Sequence, residues 1–200
     1  MKIIKSIKHP SLVLSYLSQN LRLYRVKRTI KNDKVYFEYK GVLYPEFLNK
    51  GNAASFILEK AKRHCQGKGI DVGAGQWPFE EATPIDYGKS QNAYNLDSLK
   101  DGSLDFVFSS HCLEHLERWQ EALLLWIKKL RVGGTLFLYL PHKSMELWHP
   151  NAPWVGKGHK WIPSYEVINP FLEANGMDII EFEPEQDKYW SFHIASRKIR

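Results

Sequence analysis

Residues 69–75 read Gly-Ile-Asp-Val-Gly-Ala-Gly, which predicts a short buried strand that ends in an Asp-x-Gly-x-Gly turn. Glycine has no Cβ and adopts positive φ, so Gly73 and Gly75 allow a tight turn whose backbone a ligand can approach closely. Similar turns also occur as plain strand exits, so the pattern alone is weak. It predicts a cofactor of the nucleotide type beside this turn.

The residues after the turn separate two cofactor classes. A dinucleotide site has a third glycine three positions on and an acidic residue about 20 residues later. Here Pro78 stands at the third position, and Asp86 follows Gly75 by 11 residues. Dinucleotide binding is therefore disfavoured. A second short apolar strand, residues 83–85, closes on Asp86 and suits an adenosine without a pyrophosphate, for which S-adenosylmethionine is the first candidate.

Six short motifs follow one another between residues 71 and 136. They are Asp71-Val72-Gly73-Ala74-Gly75, Asp86, Asn92-Ala93, Asp101-Gly102-Ser103-Leu104-Asp105-Phe106-Val107-Phe108, Ser109-Ser110-His111-Cys112-Leu113-Glu114-His115-Leu116 and Leu130-Arg131-Val132-Gly133-Gly134-Thr135-Leu136. In this order they resemble the class I S-adenosylmethionine-dependent methyltransferases over about residues 66–198. The resemblance is strongest to the small bacterial type with an SSHxLEHL motif, which is found among sugar and cell-surface biosynthesis proteins.

The resemblance implies a cofactor site at the carboxyl ends of the strands. Asp71 would lie near the ammonium of S-adenosylmethionine, and Asp86 would accept hydrogen bonds from both ribose hydroxyls. Asn92 and Ala93 would border adenine. The implied site is completed by Gly73, Ala74, Gly75, Ser110 and His111.

The resemblance also places His111 beside the transferred methyl group. An imidazole takes up a proton near neutral pH, so His111 is the first candidate for the general base. His142 and His159 are reserve candidates in a segment that is rich in rings and turn residues. Within residues 142–161 the aromatic and imidazole side chains are His142, Trp148, His149, Trp154, His159 and Trp161.

The segment 142–161 predicts an acceptor-binding loop, because stacking rings and imidazoles suit sugar rings or planar acceptors. The alternative is a loop whose tryptophans only cover the sheet. We expect O-methylation of a sugar, a glycan or another small acceptor. An RNA methyltransferase is the alternative, although no Asn-Pro-Pro-Tyr-like motif follows the fourth strand. A cofactor-binding module without catalysis is a further alternative.

Residues 111–115 read H-x-x-E-H, the inverted zinc-peptidase pattern, which requires both histidines on one helix face. Residues 105–109 are strand-like, so His111 should stand at a strand-to-helix turn and out of line with His115. A zinc peptidase is therefore disfavoured. Some methyltransferases that this chain resembles hold magnesium near the acceptor with a Glu-His pair and a further histidine, but His111 replaces their first glutamate, so we expect no bound metal.

Charge is unevenly distributed along the 200 residues. Residues 1–68 hold 15 Lys and Arg against 4 Asp and Glu, whereas the whole chain has a net charge of +6. Apolar residues after Pro10-Ser11 predict a basic amphipathic helix, either as a solvated face or as a contact for a polyanion. No apolar run reaches the length of a membrane span, and Cys65 and Cys112 suit a reducing compartment. We expect a cytoplasmic protein without stable membrane insertion.

The elements that position these motifs alternate between strands and helices. This predicts an α/β protein with a doubly wound, Rossmann-like sheet, mostly parallel with an antiparallel last strand. The predicted domains are a basic extension with a helix and a hairpin over 1–64 and the cofactor domain over 65–200. Residues 76–81 are too short for the usual first helix. The other predicted elements are a hairpin at 34–44, helices at 52–64, 119–130 and 164–175, and strands at 136–140, 179–183 and 189–196.

Overall fold

The computed structural model describes residues 24–88 and 90–200. The predicted helix after Pro10-Ser11 lies outside these residues. The chain divides into two compact units. In the described part, the smaller unit holds residues 24–51 and Glu146–His159, and the larger unit holds Asn52–Met145 and Lys160–Arg200. The predicted domain boundary after residue 64 stays a prediction.

The smaller unit contains a three-stranded antiparallel sheet. Its strands, in spatial order, are β1 (Lys27–Lys31), β2 (Lys34–Tyr39) and β3 (Val42–Pro45). The β2–β3 hairpin turns at Lys40 and Gly41, which both have positive φ, as the sequence pattern predicted. Strand β1 was not predicted, because its five residues are mostly charged. Trp154 packs edge-on against Phe37 of β2, with 5.2 Å between ring centroids.

The larger unit is built on a six-stranded sheet in the order β5-β4-β6-β7-β9-β8. The strands are β4 (Gly69–Val72), β5 (Ala82–Ile85), β6 (Leu104–Ser110), β7 (Leu130–Pro141), β8 (Met177–Glu183) and β9 (Ser191–Lys198). Strands β5, β4, β6 and β7 pair in parallel, and β9 runs antiparallel to both β7 and β8. The predicted Rossmann-like sheet, mostly parallel with an antiparallel last strand, is confirmed.

Three α-helices accompany this sheet within the described residues: α1 (Leu58–His64), α2 (Trp119–Lys129) and α3 (Tyr165–Ala174). The predicted helix at 52–64 is split, because a separate 3-10 helix spans Ala53–Phe56 before α1 begins. Helix α3 continues through Pro170 and is followed by Gly176 at φ +78°, so its predicted stop is confirmed. No helix stands between Gly75 and β5, in agreement with the length of residues 76–81.

The two faces of the large sheet have different cores, because side chains alternate along each strand. One face packs Val107, Leu136 and Ile194 against apolar residues of α2 and α3. On the other face, Phe108 stacks on Phe137 at 5.9 Å between ring centroids. The sheet is therefore covered on both sides, and in folds of this type ligands bind at the carboxyl ends of the parallel strands. Among the described helices, none has the length and apolar character needed to cross a bilayer.

Candidate active site

The glycine turn after β4 is closed on one side and open on the other. Gly73 has φ +83°, and a Cβ built on it would lie 2.4 Å from Cys112 Cβ. Gly75 has φ +54°, and a Cβ there would meet nothing nearer than the carbonyl oxygen of Gly73 at 3.9 Å. The amide of Gly73 donates to the carbonyl of Ile85 at 2.8 Å. The backbone at Gly75 is thus accessible to a ligand. At position 73 only glycine leaves room for the side chain of Cys112.

Asp71 fixes the segment that stands where a helix would normally follow the turn. Its side chain is buried, and Oδ2 accepts a hydrogen bond from the amide of Phe79 at 2.9 Å. Burial raises the pKa of the Asp71 carboxyl to about 6, although the Phe79 hydrogen bond acts in the opposite direction. One carboxylate oxygen is therefore used to hold residues 73–79 in place.

Asp86 stands directly beside this turn. Strand β5 pairs in parallel with β4 and places Ile85 opposite Val72, so the next residues, Asp86 and Gly73, meet at one edge of the sheet. The carboxylate is half-buried and accepts the amide of Tyr87 on Oδ1 at 2.7 Å. Within residues 24–88 and 90–200, no hydrogen bond engages its Oδ2. This oxygen can accept hydroxyl groups of a ligand.

Asn92 and Ala93 form a tight turn held on helix α2. The Asn92 side chain accepts the amide of Tyr94 at 2.9 Å, and the Ala93 carbonyl accepts the indole N–H of Trp126 at 2.9 Å. Trp126 is fully buried. A buried core residue therefore holds the backbone of this turn, and the side chains of Asn92 and Ala93 stay partly exposed.

His111 follows β6, whose last residue is Ser110. It is a non-glycine residue with φ +48°, a conformation that costs about 1–2 kcal/mol and often marks functional sites. Its amide donates to the Tyr139 carbonyl at 2.9 Å. Nε2 of the ring lies 2.8 Å from Ser191 Oγ, and Nδ1 lies 3.5 Å from Glu114 Oε1.

Glu114 is a carboxyl group that sequence analysis did not select. It is fully buried, and burial raises its pKa to about 8. It lies in a 3-10 helix, Leu113–His115, that follows the left-handed residue His111. The α-helix required by the zinc-peptidase pattern is therefore not formed at residues 111–115.

The reserve histidines lie in different units. His142 belongs to the larger unit, where its Nδ1 lies 2.7 Å from Ser144 Oγ. Burial lowers the pKa of His142, and the nearby Lys143 ammonium acts in the same direction. His159 belongs to the smaller unit and is buried there.

Two tryptophans of the 142–161 segment pack against aromatic rings of their own unit. Trp161 stacks on Trp119 at 4.7 Å between ring centroids, and its indole N–H donates to the Leu113 carbonyl at 2.9 Å. Trp154 packs on the small sheet, and Trp148 is buried. An acceptor-binding role for this segment stays a prediction, since these contacts are those of packing residues.

Sequence analysis also missed Tyr139, Asp187 and Ser191. Ser191 lies 80 positions from His111 along the chain, and the Tyr139 hydroxyl donates to Asp187. No local motif joins these residues, so only the sheet order brings them to His111.

The residues at this edge of the sheet fit S-adenosylmethionine. The backbone at Gly75 is open, and the half-buried carboxylate of Asp86 has an oxygen available for ribose hydroxyls. Asn92 and Ala93 would border adenine from the next loop. The turn lacks the third glycine that a pyrophosphate-binding site has. These residues therefore favour a cofactor with a single nucleoside and no pyrophosphate.

Residues 53–138 match a family model described as a methyltransferase domain. Among curated proteins, none matches the chain at a significant level.

Similar folds occur in solved structures. An S-adenosylmethionine-dependent methyltransferase from Mesorhizobium loti is 16% identical, with a TM-score of 0.57 over 75% of this chain and 100% of that chain. A second methyltransferase, from Archaeoglobus fulgidus, is 18% identical, with a TM-score of 0.51 over 73% of this chain and 95% of that one.

A third similar structure is the 1,6-didemethyltoxoflavin-N1-methyltransferase of Burkholderia thailandensis. It is 14% identical, with a TM-score of 0.53 over 88% of this chain and 100% of that one, and it holds 1,6-didemethyltoxoflavin and S-adenosylhomocysteine. At these identities the structures show a shared fold, and the family model adds the kind of domain. Residues 53–138 thus match a methyltransferase domain, and the chain shares the fold of S-adenosylmethionine-dependent methyltransferases.

Proposed function

We propose that this enzyme transfers the methyl group of S-adenosylmethionine to a hydroxyl oxygen of a small acceptor, such as a sugar or a glycan. The observation that carries the proposal is the position of His111. Its imidazole follows β6 at the edge of the sheet where the glycine turn and Asp86 also lie. A base beside the transferred methyl group is needed when the acceptor is a neutral hydroxyl.

The residues of the edge divide into binding and chemical roles. The backbone of residues 73–75 would lie against the cofactor, and Asp86 would accept its ribose hydroxyls. Asp71 would attract the ammonium of the methionine part, while its bond to Phe79 keeps the turn in place. Asn92 and Ala93 would border adenine.

The bound cofactor supplies an electrophilic methyl group on a sulfonium. The chain must align the acceptor, exclude water and receive a proton. His111 would receive it on its imidazole ring. His142 and His159 are the reserve candidates for this role. A small acceptor also has support from the Burkholderia thailandensis protein, which is named for the methylation of a small molecule.

Calorimetry with S-adenosylhomocysteine tests the cofactor site. Replacing Asp86 by Ala should lose most of the affinity, because it removes two charge-assisted hydrogen bonds worth about 1.5–3 kcal/mol each. Asp178→Ala is the matched control, since Asp178 is exposed at the start of β8, at the opposite edge of the sheet. NAD should not bind. Unchanged affinity in Asp86→Ala would remove Asp86 from the site.

A panel of hydroxylated acceptors, followed by formation of S-adenosylhomocysteine, tests the chemistry. His111→Ala should keep cofactor affinity and lower turnover by about 10²–10⁴-fold, the usual contribution of a positioned base. Turnover within about threefold of wild type in a folded variant would move attention to His142 and His159. Parallel losses of thermal stability and cofactor affinity would assign His111 a structural role.

A polyanionic acceptor such as RNA is a second candidate, favoured by the β1–β2 hairpin of the smaller unit. Lys27, Arg28, Lys31 and Lys34 are exposed, and no carboxylate of the described residues lies within 4 Å of their cationic groups. Lys31 and Lys34 stand directly opposite each other, an unfavourable pair of like charges that a bound phosphate would relieve. A steep salt dependence of RNA binding would support this candidate.

A further inference from the structure

A cluster of two glutamates, two histidines and a lysine joins helix α1 to strands β8 and β9. Glu181 and Glu183 are two positions apart on β8, and His193 stands opposite Glu183 on β9. Lys60 and His64 are four positions apart on α1 and so share one face of this helix. All five side chains belong to the larger unit, and none of them has a role in the proposed methyl transfer.

The contacts of the cluster converge on its two carboxylates. Nε2 of His64 lies 3.0 Å from Glu181 Oε2, and Nε2 of His193 lies 3.1 Å from Glu181 Oε1. The Lys60 ammonium lies 2.5 Å from Glu183 Oε1 and 3.8 Å from Glu181 Oε1. Two carboxylates thus face one ammonium, and with neutral imidazoles the cluster keeps one negative charge. A divalent cation would balance both carboxylates, because it carries two charges.

The imidazole of His193 is held in place by its neighbours. Its ring stacks on Phe137 at 5.6 Å between centroids and 10° between ring planes, and its side chain is only 3% exposed. His64 lies against the same phenylalanine at 5.8 Å between centroids. An apolar wall behind polar side chains limits the access of water, and a fixed imidazole loses little freedom when it coordinates an ion.

The candidate ligand atoms are close enough to share one ion. Glu181, Glu183 and His193 each offer one atom, and these atoms lie within 4.8 Å of one another. Around a tetrahedral zinc ion with bonds of about 2.0–2.2 Å, the ligand atoms are roughly 3.4 Å apart. Glu183 can close the difference by rotation, since its side chain is 60% exposed. Three protein ligands leave the fourth position to water.

We propose that Glu181, Glu183 and His193 bind a divalent transition-metal ion, for which Zn²⁺ is the best match. A ligand set of imidazole nitrogen and carboxylate oxygen suits zinc, whereas magnesium prefers oxygen alone. Lys60 holds the place of the ion and moves outward when the ion binds. His64 keeps its hydrogen bond to Glu181 and so orients that ligand. The bound ion ties the edge strand β8 to β9, and the site does not depend on the proposed function.

The sequence contains no spacing motif for this cluster. His64 and Glu181 are 117 positions apart, and they meet only because α1 lies against the sheet. The expectation of no bound metal rested on the pattern at residues 111–115 and did not consider these side chains.

Calorimetry with Zn²⁺ on the full chain, after treatment with a chelator, gives the first test. One equivalent should bind to the wild type. Glu183→Gln should weaken this binding by about tenfold or more, because it replaces an anionic ligand by a neutral amide. Glu173→Gln, exposed on α3, is the matched control and should bind like the wild type. Absence of binding, or the same affinity in Glu183→Gln as in the wild type, would overturn the site and leave an adventitious ion only.

The competition with Lys60 gives the second test. Lys60→Met should bind Zn²⁺ about tenfold more tightly, because the ion no longer has to displace an ammonium. Lys62→Met removes the same charge from an exposed position on α1 and should stay within about twofold of the wild type. No gain in Lys60→Met, or equal gains in both variants, would contradict a site at the Lys60 ammonium.

Nitrogen–proton NMR spectra of the full chain with labelled histidine identify the ligand directly. The first equivalent of Zn²⁺ should shift the signal of His193 Nε2 and leave the ring signals of His111 and His142 unchanged. Single His→Gln variants assign the signals. A first equivalent that shifts His111 or His142 while His193 stays unchanged would overturn the proposal.

Discussion

The two glycines after β4 serve different purposes, although they are two positions apart. A side chain on Gly73 would collide with Cys112, whereas one on Gly75 would point into open space. The fold requires the first glycine, and we propose that the second is needed by the cofactor. This distinction can be measured because both have positive φ and so share the same backbone cost.

Gly73→Ala should lower the free energy of unfolding by about 2–5 kcal/mol, the sum of left-handed strain and overpacking against Cys112. Gly75→Ala should cost only about 1–2 kcal/mol of stability and mainly weaken S-adenosylhomocysteine binding. Urea unfolding and calorimetry on both variants check this. Equal losses of stability would contradict the proposed division.

Glu114 should make stability fall with rising pH. In the unfolded chain a glutamate loses its proton near pH ~4.3, whereas the buried Glu114 keeps it up to about pH 8. Between these values the folded state binds more protons, so unfolding becomes easier as pH rises, by an amount on the order of a few kcal/mol in total.

Glu114→Gln should therefore flatten the dependence of unfolding free energy on pH between about 4.3 and 8, as measured by urea midpoints. Glu80→Gln is the control, because Glu80 is exposed. A slope that is the same in Glu114→Gln and in the wild type would show that Glu114 does not bind the extra proton.

At the scale of elements, helix α3 is notable for Pro170 in its interior. Proline has no N–H, so the carbonyl of Glu166 lacks its helical partner. The helix nevertheless runs from Tyr165 to Ala174, because Ile168 and Leu172 are fully buried against the sheet. Tertiary packing outweighs the local penalty.

Pro170→Ala should raise the free energy of unfolding by about 1–2 kcal/mol. The restored hydrogen bond and the better helix propensity of alanine stabilise the folded state. This gain is larger than the loss that comes from a more flexible unfolded chain. Thermal and urea unfolding measure the change, and Glu173→Ala on the same exposed side should stay within about 0.5 kcal/mol of wild type. A loss of stability would mean that the fixed φ of proline is needed in α3.

At the scale of the whole molecule, the charge distribution is the main feature outside the active site. Residues 1–68 carry most of the positive charge, and the described part of this region presents it on the β1–β2 hairpin. The opposed pair Lys31 and Lys34 is the natural position to test.

Replacing Lys31 and Lys34 by Gln should reduce the salt slope of binding to a single-stranded RNA probe, by about 0.7 for each lost phosphate contact. Lys68→Gln with Lys100→Gln removes the same charge from exposed positions in the larger unit. Filter binding over a range of salt concentrations measures both slopes. Equal effects of the two pairs would indicate a response to net charge and contradict a hairpin contact.

The sequence by itself determined most of the elements and the glycine turn after β4. Strand and helix periodicities are local, so alternation around Phe106 and Val107 and the helical spacing around Trp126 could be recognised without the fold. The glycine turn with Asp71 is likewise contiguous. Strand β1 was missed because its charged residues have no apolar alternation, and the split of residues 52–64 into two helices left no clear signal in the pattern.

Only the tertiary structure decided which distant groups meet. The pairing of β7 with β9 brings Ser191 and Tyr139 to His111, and the burial of Glu114 depends on chain packed around it from other elements. The tryptophans of the 142–161 segment predict a binding loop from residue type, whereas only the fold shows that Trp148 is buried and that Trp161 stacks on Trp119. Hydrophobic periodicity depends on neighbours a few positions apart, whereas these contacts depend on strand order and packing, which no short stretch of sequence contains.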